Sequence, residues 1–109
     1  MKVRLLREET IEEFVKKHAN SATHFNNWLN RLEYADWTVP QDITATCKGN
    51  LIGGTRVVFD IGGNGKNASR IICTFKFGIK YLRLYVNWIG THEEYNRLSN
   101  ADKMTLWDY

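Results

Sequence analysis

Apolar residues recur along this chain with two periods, and the change from one to the other splits it into a helical first third and a stranded remainder. Residues 3–6 form a short apolar run that reads as a first strand. Thr10 and Glu13 then stand three apart in a capping-box pattern, which predicts a helix starting near Ile11 with Thr10 as its N-cap. Ile11, Phe14 and Val15 share one face of that helix. After a break at Asn20-Ser21, Phe25, Trp28, Leu29 and Leu32 repeat the spacing and predict a second amphipathic helix. Its aromatic stripe is the face a helix buries against a sheet. Residues 34–54 are irregular: Pro40 argues against a helix through its neighbourhood, Gly49, Gly53 and Gly54 mark turns, and 43–47 reads as a short strand. Residues 56–61, 70–77 and 81–89 alternate and are rich in β-branched and aromatic side chains, so they predict three successive strands. The glycine-rich segment 62–67 joins the first pair, and the short Gly78-Ile79-Lys80 turn makes the second pair an antiparallel hairpin. Thr91 and Glu94 repeat the capping-box spacing and predict a last helix over 91–98 or beyond.

The expected fold is therefore α+β, one domain over 1–109. Two N-terminal helices pack on one face of a mainly antiparallel sheet of about four strands, and a short C-terminal helix closes the chain. Because strand side chains alternate between faces, Val57, Phe59 and Ile61, then Ile71, Cys73, Phe75 and Phe77, then Leu82, Leu84, Val86 and Trp88 are expected beneath the helices. Arg56, Val58 and Asp60, then Arg70, Ile72, Thr74 and Lys76, then Tyr81, Arg83, Tyr85, Asn87 and Ile89 fall on the opposite face.

The composition, 43% apolar and 25% charged, is that of an ordinary globular protein. No apolar run approaches the ~18 residues of a membrane helix, and the N-terminal segment lacks a small-residue cleavage site, so a cytoplasmic protein is expected. Cys47 and Cys73 form no CxxC motif and read as small buried apolar residues. Charge changes the picture more. The net +3 conceals −1 over residues 1–42, where six Lys/Arg meet seven Asp/Glu, +6 over 43–90, where seven meet one, and −2 over 91–109, where two meet four. The strands are strongly basic, which suits a polyanion such as nucleic acid.

The outward face interleaves Arg56, Arg70, Lys76 and Arg83 with Tyr81 and Tyr85. Arginine pairs with phosphate and tyrosine stacks on unpaired bases, a combination suited to single-stranded RNA. An unliganded, solvated sheet face has the same composition, and both readings stay open at this point. The strands supply a single carboxylate, Asp60, so a two-metal nuclease is not expected. His18, His24 and His92 lie on separate elements without zinc spacing, and the glycine-rich loop lacks the GK[ST] ending of a phosphate loop. No metal or cofactor is implied. What remains is metal-free RNA cleavage, in which the ribose 2′-hydroxyl attacks the neighbouring phosphate. His92, at the end of the last strand and within reach of Arg70, is the candidate acid or base, with Tyr95 one helical turn on. The other reading of His92 is a helix-start surface residue.

Arg56-Val57-Val58-Phe59-Asp60-Ile61-Gly62-Gly63-Asn64, Arg70-Ile71-Ile72 and Ile89-Gly90-Thr91-His92-Glu93-Glu94-Tyr95 together resemble the HigB family of toxins within the RelE-like superfamily. Trp37, Pro40 and Asp42-Ile43 fit as well, so the resemblance runs from about residue 35 to 96. It implies a RelE-like fold and the toxin of a type II toxin-antitoxin pair, a ribosome-dependent mRNA endonuclease that uses no metal and acts on message in the ribosomal A site. Its partner would be a HigA-like helix-turn-helix antitoxin, and operator DNA would be met only through that antitoxin. By resemblance Arg70 stabilises the phosphate, His92 transfers protons, and Tyr95 with Arg56 positions substrate. Asn64, Lys76, Lys80, Arg83, Tyr85 and Thr91 complete the expected RNA contacts. The chain departs from the family pattern at Asn87, where an Arg is common, at Asn96, where an Asp is common, and in a longer loop before Arg70. Lys76, Lys80 or Arg83 would then carry the displaced charge. The alternative is a catalytically weakened or inactive RNA-binding or protein-interaction module of the same fold.

Overall fold

A computed structural model describes residues 1–63 and 65–106. In chain order these form β1 (Lys2–Leu6), α1 (Glu9–Lys17), a 3-10 turn (Ala19–Ser21), α2 (Ala22–Glu33), α3 (Pro40–Thr46), β2 (Gly49–Leu51) and β3 (Arg56–Gly62). A second 3-10 turn (Gly65–Asn67), β4 (Ser69–Phe77), β5 (Tyr81–Thr91), α4 (His92–Asn96) and α5 (Asn100–Thr105) complete them. The sheet has five strands, not about four, in the order β1-β5-β4-β3-β2. β2, β3, β4 and β5 pair antiparallel. β1 joins β5 in parallel, which the intervening helices permit by carrying the chain back across the sheet. Its exposed Lys2 and Arg4, and the three-residue length of β2 at the other edge, discourage further strand addition. No helix of the described residues is long and apolar enough to cross a membrane.

The main core lies where the sequence pattern puts it. Ile11 and Phe14 of α1, with Phe25, Trp28 and Leu32 of α2, are buried against Val57, Phe59, Ile71, Cys73, Leu82 and Leu84. Cys47 and Cys73 are both buried free thiols, and burial pushes both thiol pKa values up.

Four local expectations are corrected. First, α1 begins at Glu9, and the Thr10 hydroxyl donates to the Arg7 carbonyl at 2.7 Å instead of capping the helix. The chain leaves β1 through Arg7 at φ 69°, and that turn sets the helix start. Second, 43–47 is not a strand: 43–46 belongs to helix α3, with Cys47 as the extended C-cap of that helix. Pro40 is its first residue, where the missing N–H costs nothing. The Asp42 carboxylate accepts the N–H groups of Thr38 and Val39 at 2.8 and 3.2 Å, and these bonds, Thr38 first, hold its pKa below the ordinary value. Third, β5 carries a bulge against β4, since Cys73 faces Val86 while Ile72 faces Trp88. Asn87 is the extra residue, and beyond it the two faces exchange. Trp88 therefore leaves the main core for the opposite face, and Ile89 enters that core. Fourth, the described residues after β5 form two short helices in place of one. They cover the opposite face, where Val58, Ile72 and Tyr95 form a second cluster with Ile52, Trp88 and Leu98.

The Thr91 capping box forms as expected. Thr91 Oγ1 accepts the Glu94 N–H at 3.2 Å and the Glu94 carboxylate accepts the Thr91 N–H at 2.8 Å. Thr91→Ala is expected to cost about 1 kcal/mol, seen as a lower urea midpoint at unchanged m-value.

Candidate active site

One end of the sheet gathers the residues with chemical potential. Arg70, at the start of β4, lies opposite Asp60 of β3 and Gly90 of β5, and Ser69 lies opposite Thr91. His92 follows directly and opens α4, where its N–H donates to the Ala68 carbonyl at 2.6 Å. Tyr95 sits one turn later, only 7% exposed. The Arg70 guanidinium lies 5.1 Å from the centre of its ring, and Lys103 Nζ lies 4.3 Å from it. Burial pushes the Tyr95 phenol above its ordinary pKa, and the Arg70 charge opposes that rise in part. The fold thus brings Arg70, His92 and Tyr95 together, with Tyr95 as the surface on which Arg70 rests.

Arg70 and His92 line a cleft of about 600 Å³ between this sheet end and α2. Arg31 and Lys48 bring further positive charge to its wall, and Asp60 is the carboxylate there. Two N–H donors of lining side chains, Arg70 Nε and Trp28 Nε1, are buried and have no acceptor among the described residues. A buried donor of this kind is costly unless something accepts from it, and a phosphate oxygen is a suitable acceptor. Among the described residues, no three His, Cys, Asp or Glu side chains cluster as a metal site would require.

The other expected RNA contacts lie elsewhere. Lys76 and Arg83 face each other across β4 and β5, and Arg4 of β1 faces Arg83 in turn. This row of three exposed cations lies on the face opposite the main helices, about 20 Å along β4 from Arg70 at ~3.3 Å per residue. Like charges in register on adjacent strands repel, so an anion bound over the row would relieve them. Lys80 is exposed at the nearby hairpin, and half-buried Tyr85 lies between Leu6 and Thr74. Thr91 is half-buried at the cap. Asn64 lies outside the described residues.

Arg56 does not face outward as expected. It is 3% exposed, and Nη1 donates to the Lys103 carbonyl of α5 at 3.1 Å, because the C-terminal helices cover this part of the sheet. Asn87 is also fully buried, with Oδ1 accepting the Thr74 hydroxyl at 2.7 Å, so this position presents no surface to RNA.

Three cleft residues, His24, Arg31 and Lys48, were not anticipated. His24 and Arg31 are seven apart on α2, with Asn27 between them, and this helical spacing marks a polar stripe beside the apolar one. Lys48 has no such signal, since its place depends on α3 being a helix.

A family model described as HigB_toxin, RelE-like toxic component of a toxin-antitoxin system, matches residues 21–98. A search of curated proteins gave no match. The matched span begins just before α2 and ends just after α4, so it takes in every side chain of the cleft. The chain belongs to the HigB_toxin family, RelE-like toxic components of toxin-antitoxin systems, and has an antitoxin as its implied partner.

Proposed function

We propose that this toxin is an endoribonuclease that cuts translated mRNA in the ribosomal A site and so stops translation. The cut is metal-independent: the ribose 2′-oxygen attacks the adjacent phosphate. The observation that carries this reading is the convergence of Arg70 and His92 in a cleft rich in cations, where Arg70 Nε has no acceptor among the described residues. Arg70 would stabilise charge on the phosphate in the transition state, and His92 would transfer a proton. Tyr95 holds Arg70 in place from behind. The ribosomal target places the protein in the cytoplasm. A HigA-like helix-turn-helix antitoxin would hold it inactive and would make the only contact with operator DNA.

Induced expression of the chain is expected to slow growth and fragment translated messages, and co-expression of the antitoxin to restore both. Normal growth with intact messages, at confirmed expression, contradicts the proposal. That result, with RNA binding retained, favours the second reading of an inactive RNA-binding module.

The cationic row of Arg4, Arg83 and Lys76 would hold the RNA backbone. Each phosphate contact adds about −0.7 to the slope of log affinity against log salt for single strands. Lys76→Gln with Arg83→Gln is therefore expected to make the slope shallower by roughly 1.4. An unchanged slope removes the row from the RNA contact.

A further inference from the structure

We propose that His24 is the second proton-transfer group of the reaction, acting across the cleft from His92. The inference rests on the RNA-cleavage reading above and deepens it.

The chemistry needs two such groups. A bond forms from the ribose 2′-oxygen to phosphorus, and the bond from phosphorus to the 5′-oxygen of the next nucleotide breaks. One group takes the proton of the 2′-hydroxyl and another gives a proton to the departing 5′-oxygen. The products are a 2′,3′-cyclic phosphate and a free 5′-hydroxyl, with no co-reactant consumed. In-line displacement puts the entering and leaving oxygens on opposite sides of phosphorus, so one side chain does not serve both.

Tyr95 is poorly suited to the second role. It is 7% exposed, burial pushes its phenol up, and it lies behind Arg70 outside the cleft lining. His18 stacks on Phe14 at 4.1 Å between ring centres and lines a neighbouring hollow, not the cleft that holds Arg70. His24 lines the cleft with Arg70 and His92. Imidazole is the side chain whose ordinary charge change falls between pH 5 and 8, so it can both accept and return a proton at neutral pH.

The backbone opposite His24 is shaped to seat its ring. Gly62 ends β3 at φ +120°, a conformation that side-chain-bearing residues rarely adopt, and a Cβ there would lie 2.9 Å from His24 Nδ1. The absent side chain is what lets the imidazole lie against the strand end. The backbone of His92, which lines the same cleft, is held by its N–H bond to the Ala68 carbonyl. The charges around His24 are Arg31 on α2, Asp60 on β3, Arg70 on β4, Lys48 before β2, and Lys17 at the end of α1. Four of these five are cations. They draw a phosphate into the cleft that both rings line.

The test is the pH dependence of message cleavage by purified full-length chain on programmed ribosomes. Wild type is expected to give a bell-shaped profile. His24→Gln, which keeps a polar side chain of similar reach but does not titrate, is expected to lose about 10²–10³-fold in rate and one limb of the bell. His92→Gln is expected to lose the other limb. Wild-type rate with both limbs intact in His24→Gln overturns this assignment alone. Absence of cleavage by wild type overturns it together with the reading on which it rests.

Discussion

Arg70→Ala is expected to lower message cleavage by about 10²–10³-fold, the usual effect of removing one preorganised donor from a developing oxyanion. The side chain has one partner and one open donor. Its guanidinium rests against the Tyr95 ring at 5.1 Å, while its buried Nε has no acceptor among the described residues. Stacking fixes the fork before substrate arrives, so little reorganisation remains when the phosphate gains charge. Alanine removes the donors and the charge together. The cost to folding is small by comparison, since a partly exposed cation–π contact is worth roughly 0.5–1 kcal/mol. Arg70→Lys returns the charge without the planar fork and is expected to recover only part of the rate. Full cleavage by Arg70→Ala, in a chain that folds normally, removes Arg70 from the site.

Trp37→Ala is expected to have the largest effect on stability, about 3–5 kcal/mol. The ring is fully buried in the main core. Its Nε1 donates to Thr46 Oγ1 at 2.6 Å, and its backbone N–H donates to the Met1 carbonyl at 2.9 Å. One residue thus anchors α3 and the start of β1. Domains of this size are stable by only about 5–15 kcal/mol, so the loss takes a large fraction of the total. Trp37→Phe keeps most of the buried area and gives up the hydrogen bond, and it is expected to cost much less. A loss below about 1 kcal/mol for the alanine variant, measured by urea unfolding, contradicts the anchoring role.

The three long strands were legible because their alternation is unbroken over most of their length, and the α1 and α2 faces because aromatic spacing follows the helical period. The bulge at Asn87 was not legible. Nothing in Val86-Asn87-Trp88 marks an extra residue, yet it reverses which of Trp88 and Ile89 enters the core. Pro40 reads as a breaker in the sequence although it is also a helix opener, and the difference lies in Asp42 reaching back to Thr38 and Val39. Of the candidate site, Arg70 and His92 were found through strand register and motif. Arg56 was misplaced because alternation reports the face of a sheet but not whether a later helix covers it. His24 carries no signal in the sequence, because the three histidines lie on separate elements. The fold brings one of those elements, α2, to the same cleft as α4.

The central claim is that the attacking oxygen belongs to the RNA itself. The most direct measurement uses purified chain and ribosomes programmed with a message that carries one 2′-deoxynucleotide on the 5′ side of the bond cut in the unmodified message. The modified bond is expected to stay intact, while the unmodified message yields a 2′,3′-cyclic phosphate and a 5′-hydroxyl end. Cleavage of the deoxy-substituted bond at the normal rate contradicts the mechanism.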